Sequence, residues 1–317
     1  MTDSTETPSD SVGEPARASS PLVAVTGATG AVGGIVAAHL SERGLPLRLV
    51  VRDAARAPRL DGAPGEVAVA TYADRAASVE ALRGVETLFM VSAAEAPDRV
   101  EQHRTFVDAA VEAGVRHVVY TSFAGASADS VFTLGRDHFA TEQHIRGSGL
   151  AFTFLRDNFY LDVIPQFADE QGVLRGPAGD GRVAAVARAD VAAVAAVVLL
   201  DPEAHAGATY DLTGSEAFTL TEAAARLTAL GGRSFTFVDE TVDEAYDSRR
   251  VFDPEPFQAD AWVSTYTSMA SGEVSHVTTA VRDLTGRDPM TLEVLFAGGV
   301  GAGPARLRPR DATTARR

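Results

Sequence analysis

Short, nearly unbroken apolar runs alternate along this chain with longer segments whose apolar residues recur every three or four positions. The runs at residues 22–25, 47–51, 67–70, 87–91, 117–121 and 151–155 predict strands, and the periodic segments at 35–43, 75–83, 98–113 and 137–146 predict helices. Gly44, Gly84 and Gly114 close three of those helices. Strands that are apolar throughout are buried on both faces, and their alternation with helices predicts a doubly wound α/β fold with a parallel sheet. Beyond residue 155 the rhythm loosens. Strands are expected at 182–186 and 208–212, with helices at 189–200, 220–230 and 276–284. The stretch 235–297 is mixed, and suits a small subdomain over the carboxyl ends of the strands. The organisation expected is a Rossmann-type domain (21–155 and 182–215), a lid subdomain (156–181 and 216–298), and disordered tails at 1–20 and 299–317.

The first strand leads into three glycines, Gly27, Gly30 and Gly33, spaced G-x-x-G-x-x-G, with a helical segment behind them. Strand, glycine turn and helix N-terminus in that order form an anion site. Glycine lets the backbone approach a pyrophosphate while unpaired helix N–H groups point at it. The end of the second strand then selects the cofactor. An acid there favours NAD, and arginine accommodates the 2′-phosphate of NADP. Arg52 and Arg56 favour NADP, with Asp53 between them as the conflicting charge.

Composition removes alternatives. There is no cysteine, so disulfides and thiolate chemistry are excluded. All 28 basic residues are arginine, so no P-loop lysine, Schiff base or Tyr-x-x-x-Lys pair exists. A net charge of −15 argues against nucleic-acid partners, although the C-terminal tail is basic. The longest uncharged apolar run, residues 191–200, is too short to span a bilayer, and no signal pattern opens the chain, so a cytoplasmic location is expected. The seven histidines show no metal-binding spacing, and no metal is expected. Asp157, Asp162 and Asp169 read as solvated charges, and Ser122 lacks the setting of a hydrolase nucleophile.

The segments TGATGAVGG, VVRDAAR, VEQHRTFVDAAVEAGVRHVVYTS, LRDNFY and RADVA, in that order, resemble the NmrA-like group of atypical short-chain dehydrogenases/reductases. Within it the chain is most similar to the NADPH-dependent quinone oxidoreductase and triphenylmethane reductase branch. The resemblance implies NADP held by Gly27, Thr29, Gly30, Val32, Gly33, Arg52, Arg56, Tyr72, Ser92, Thr121 and Asn158. Thr71–Tyr72 and the turn Ser92-Ala93-Ala94 would flank the adenine and ribose, although the family often has Asp at the position of Thr71. Ser122 stands at the family's serine position, whereas His138 and Glu142 occupy the places of the usual tyrosine and lysine.

The catalytic candidates are therefore Ser122, His138 and Tyr160. His138 and Glu142, four residues apart on one helix face, would form a charge-supported acid or else a surface pair. Tyr160, Asn158 and Phe159 would face the substrate crevice or pack between sheet and subdomain, and the same choice applies to Trp262 and Tyr266. The activity implied is hydride transfer from NADPH to a small planar aromatic acceptor, a quinone or a phenol-bearing ketone; enzymes of this kind are commonly homodimers, and the sequence leaves the oligomeric state open. The other reading is a redox-sensing regulator that binds NADP without turnover.

Overall fold

Val23–Thr26 (β1) is buried at every residue, as a strand covered on both faces must be. It passes through the glycine turn into Ala31–Glu42 (α1), and the alternation continues with Leu47–Val51 (β2), Gly65–Val69 (β3), Arg75–Leu82 (α2), Thr87–Met90 (β4), Arg99–Ala113 (α3), His117–Phe123 (β5), Thr133–Gly147 (α4) and Ala151–Asp157 (β6). Val173–Gly176 (β7), Arg182–Val183 (β8), Arg188–Leu200 (α5), Thr209–Leu212 (β9), Phe218–Thr219 (β10), Leu220–Ala229 (α6), Thr236–Asp239 (β11), Val242–Arg249 (α7), Pro256–Ala270 (α8), Ala280–Thr285 (α9) and Leu292–Leu295 (α10) follow. The structure is a computed structural model that describes residues 22–62 and 65–297. Both expected tails lie outside the described residues.

Seven strands form one sheet in the order β3-β2-β1-β4-β5-β6-β9, and every pairing is parallel. This is the doubly wound α/β fold, and the order reverses between β1 and β4, where such sheets open a crevice for ligands. One face packs on α1 and α5 through Val25, Phe89, Val119 and Leu155. The other packs beneath α2, α3 and α4 through Leu88, Met90, Tyr120 and Phe154. A separate apolar cluster, built on Leu174, Val183, Phe218, Leu227, Tyr266 and Met269, ties together the small sheets β7–β11 and β8–β10 with α6 and α8.

Several boundaries differ from the sequence reading for physical reasons. α1 begins at Ala31 rather than 35, because Gly33 and Gly34 sit where the helix passes close to the β1 turn. β6 continues through Arg156 and Asp157, whose polarity had suggested a loop. The run 182–186 contains only a two-residue strand, paired antiparallel to β10. Val183 lies in the subdomain cluster and Val186 in the core of the large sheet. The helix expected from 276 starts at Ala280, and the mixed stretch contains β11, α7 and α8.

Candidate functional site: the glycine turn and the carboxyl edge of the sheet

Gly27 takes a left-handed backbone (φ 64°), and Gly30 N–H donates to its carbonyl at 2.8 Å, which closes the turn. α1 then starts at Ala31, with Gly30 at the cap position offering no side-chain cap and with no acid in the first turn. Its leading N–H groups are thus left for an external anion. A Cβ at Gly33 would come within 2.4 Å of the Gly27 carbonyl oxygen, so only glycine lets the helix seat this close to the strand. Thr29 and Gly30 are exposed, whereas the Val32 side chain is buried, so Val32 can meet a phosphate through its backbone alone.

Beneath the turn, the Tyr72 hydroxyl lies 2.6 Å from Thr26 Oγ1 and donates to the Val91 carbonyl at 2.6 Å. Val91 N–H donates to Thr26 Oγ1 at 2.8 Å, and the Tyr72 ring stacks on Phe106. Tyr72 is thereby a brace between the ends of β1 and β4. Ser92 N–H donates to the buried Thr121 hydroxyl, and Ala93 N–H to His103 Nε2. Arg99, itself buried, donates to the Ala93 carbonyl. The loop after β4 is held from three sides.

At the end of β2, Asp53 accepts a hydrogen bond from Ala55 N–H and caps a short 3₁₀ turn. Its carboxylate serves its own loop. Arg52 and Arg56 are exposed, and their guanidiniums make no hydrogen bond or ion pair among the described residues. These features fit a phosphorylated dinucleotide: an uncapped helix, a glycine seat that a Cβ would fill, and two uncommitted guanidiniums beside them.

His138 and Glu142 do not meet. His138 is buried and its Nε2 accepts from Arg99 Nη2 at 3.1 Å, which leaves the ring proton on Nδ1, 3.0 Å from the Tyr120 hydroxyl. Burial, and after it the Arg99 charge, hold its pKa well below the ordinary histidine value. A ring kept neutral is no charge-supported acid, which corrects that reading. Its imidazole is expected to titrate well below an ordinary histidine in NMR spectra, and a midpoint at or above the ordinary histidine value would refute the assignment. Glu142, fully buried, instead accepts from Ser122 Oγ (2.6 Å), Arg156 Nε and Nη2 (2.8 and 2.7 Å) and Arg146 Nη1 (3.2 Å). Ser122 is also fully buried and belongs to this ion cluster.

Asp157, read as a solvated charge, is a buried side chain at the last position of β6. Tyr160 donates its hydroxyl proton to Asp157 Oδ2, and burial pushes the Asp157 carboxyl up to about 7. The two-residue alternation that turns Thr153 and Leu155 inward also turns Asp157 inward, and this was the available signal. Arg99 carried no comparable signal. Asn158 donates to the Val274 carbonyl at 2.9 Å and accepts from Phe159 N–H, so it ties the sheet to the segment after α8. Between them is a cleft lined by Ala124, Gly125, Arg156, Asp211, Glu273 and His276. Tyr266 is buried in the subdomain core with Arg249 over its ring, and the half-buried Trp262 meets Phe252 edge-on. Among the described residues no group of His, Asp and Glu could hold a metal ion, and no helix is long and apolar enough to cross a membrane.

The model of the NmrA-like family matches residues 19–248. The chain belongs to the NmrA-like family. This NmrA-like protein is 32% identical over 273 residues to an NAD(P)H azoreductase of Xenophilus azovorans, covering 85% of this chain and 95% of that one. It is similar in structure to the NADPH-dependent quinone oxidoreductase QOR2 of Escherichia coli in complex with NADPH. There the TM-score is 0.77 and the identity 34%, over 85% of this chain and 96% of that one. The triphenylmethane reductase of Citrobacter sp. superposes with a TM-score of 0.76 at 29% identity, over 87% of this chain and 98% of its own.

Proposed function

We propose that this NmrA-like oxidoreductase transfers hydride from NADPH to a planar, conjugated acceptor such as a quinone or a phenol-bearing aromatic ketone. The observation that carries the reading is the uncapped start of α1 on its glycine seat, with Arg52 and Arg56 free beside it. The family relationship to NADPH-dependent quinone and dye reductases supports it. When bound, the dinucleotide supplies the hydride. The protein's part is to hold the phosphates on the α1 N–H groups, to place guanidiniums at the ribose phosphate and to offer a flat acceptor the cleft at the ends of β5, β6 and β9. The Tyr–Lys pair of ordinary relatives is replaced by His138 and Glu142, both committed inside the protein. Acceptors that delocalise incoming charge suit such a site.

NADPH oxidation against a quinone panel tests the reading. Turnover supports it, and NADPH binding without turnover on any acceptor would instead indicate a redox-sensing regulator. Replacing both Arg52 and Arg56 by alanine is expected to raise the Kd for NADPH at least about tenfold while changing that for NADH far less, because each removes a charge-assisted bond to the 2′-phosphate. Fluorescence titration with the two cofactors reads this directly, and an equal loss for both would show that the arginines do not face the phosphate.

A further inference from the structure

We propose that Asp211 selects the acceptor by charge: neutral and cationic rings enter the cleft, and rings bearing a sulfonate or carboxylate are turned away. The inference rests on the reductase reading above and assigns a specificity-determining residue to its acceptor cleft.

The cleft lies between the large sheet and the subdomain. Gly125 follows β5, Arg156 comes from the end of β6 and Asp211 from β9, while Glu273 and His276 close the cleft from the segment after α8. Because the strands run parallel, their carboxyl ends share the edge that carries the Gly27 turn. β5 and β6 stand two and three strands from β1, roughly 10–14 Å away at the spacing of a sheet. That distance is within the span of a dinucleotide whose phosphates occupy the turn. The cleft has a volume of about 120 Å³, close to that of protein cavities that take up a benzene ring.

The charges around the cleft differ in how far they are committed. Arg156 stands beside Asp211 in register, yet its Nε and Nη2 both donate to Glu142, and Arg146 donates there too. Glu273 accepts from Ser130 Oγ and, at 2.8 Å, from Val131 N–H. The half-buried Asp211 carboxylate makes no hydrogen bond or ion pair among the described residues. Burial raises its pKa, and the Arg156 charge opposes that rise. His276, the remaining titratable group of the lining, is exposed. Two arginines against three carboxylates leave the cleft and the ion cluster behind it one charge negative. An anionic ring would therefore lose water and meet a like charge together, two unfavourable terms. A neutral ring avoids both, and a cationic ring gains an attraction.

Three naphthoquinones test the rule: the plain ring, its sulfonate and its trimethylammonium derivative. Calorimetry on the NADP+-saturated protein gives their Kd values without turnover. The sulfonate is expected to bind at least about tenfold more weakly than the plain ring, and the cation at least as tightly as the plain ring. Asp211→Asn keeps the shape and removes the charge. In that variant the ratio of sulfonate Kd to plain-ring Kd is expected to fall at least about fivefold, with Glu273 retaining the remainder. The corresponding ratio of kcat/KM values should shrink in step. A parent protein that binds the sulfonate as tightly as the plain ring overturns selection by Asp211 alone, as does an Asp211→Asn ratio equal to the parent's. Binding of none of the three overturns it as well. Charge-ordered binding without NADPH oxidation on any of them overturns the reductase reading, while the cleft stands as a charge-selective site.

Discussion

Gly33→Ala is expected to weaken NADPH binding by about tenfold to a hundredfold and to lower the melting temperature of the free protein. The added Cβ would stand 2.4 Å from the Gly27 carbonyl oxygen, 2.6 Å from its carbon and 2.7 Å from the Thr26 oxygen. All three are backbone atoms, so no side chain can swing aside. α1 has to lift from β1, and overpacking of this kind costs about 1–3 kcal/mol. The lift also tilts the N–H groups meant for the pyrophosphate, so affinity falls together with stability. Gly30→Ala is the internal comparison, since its Cβ would meet only the Gly27 oxygen, at 3.3 Å. Fluorescence titration and thermal melting of the two variants measure the contrast. Parent-like affinity in Gly33→Ala would show that the turn does not set the phosphate site.

The second large effect is expected at Glu142. Its carboxylate is fully buried and joins Ser122, Arg156 and Arg146, whose arginine side chains are 21% and 34% exposed. Glu142→Ala removes the only anion among those partners and strands the Arg156 guanidinium, held until then at both Nε and Nη2. Breaking a buried pair from one side costs about 3–5 kcal/mol. Solvent reaching the two arginines lowers that, so about 2–3 kcal/mol is expected. Arg146→Ala should cost much less, because it removes the more exposed partner at 3.2 Å. Urea denaturation of both variants supplies the comparison, and equal midpoints would refute the hub role of Glu142.

The frame of the fold was legible because its signals are local. Apolar runs marked the parallel strands, glycines marked helix ends, and β2 was read to the residue. The glycine turn was legible for the same reason, since the strand, the turn and the helix are consecutive in the chain. What the sequence did not disclose depends on partners far apart along it. Glu142 was placed with His138 by helical spacing, yet it turns to Arg156, fourteen positions on in the neighbouring strand. Asp157 was judged by the polarity of its neighbours, although strand alternation sends it inward. Arg99 reaches both the Ala93 carbonyl and His138, and a lone arginine in a helical segment announces neither contact. The stretch 235–297 resisted reading because α7 and α8 pack on each other, on the short strands β7 and β8 and on α4, with no regular strand–helix alternation to mark them.

The Tyr72 brace has a thermodynamic consequence. Thr26, Tyr72 and Val91 fasten the ends of β1 and β4 to each other with bonds the protein makes entirely to itself. The phosphate seat is therefore preorganised. Little backbone entropy remains to be lost there when an anion docks, so the free energy of each N–H contact goes into affinity instead of into ordering the loop.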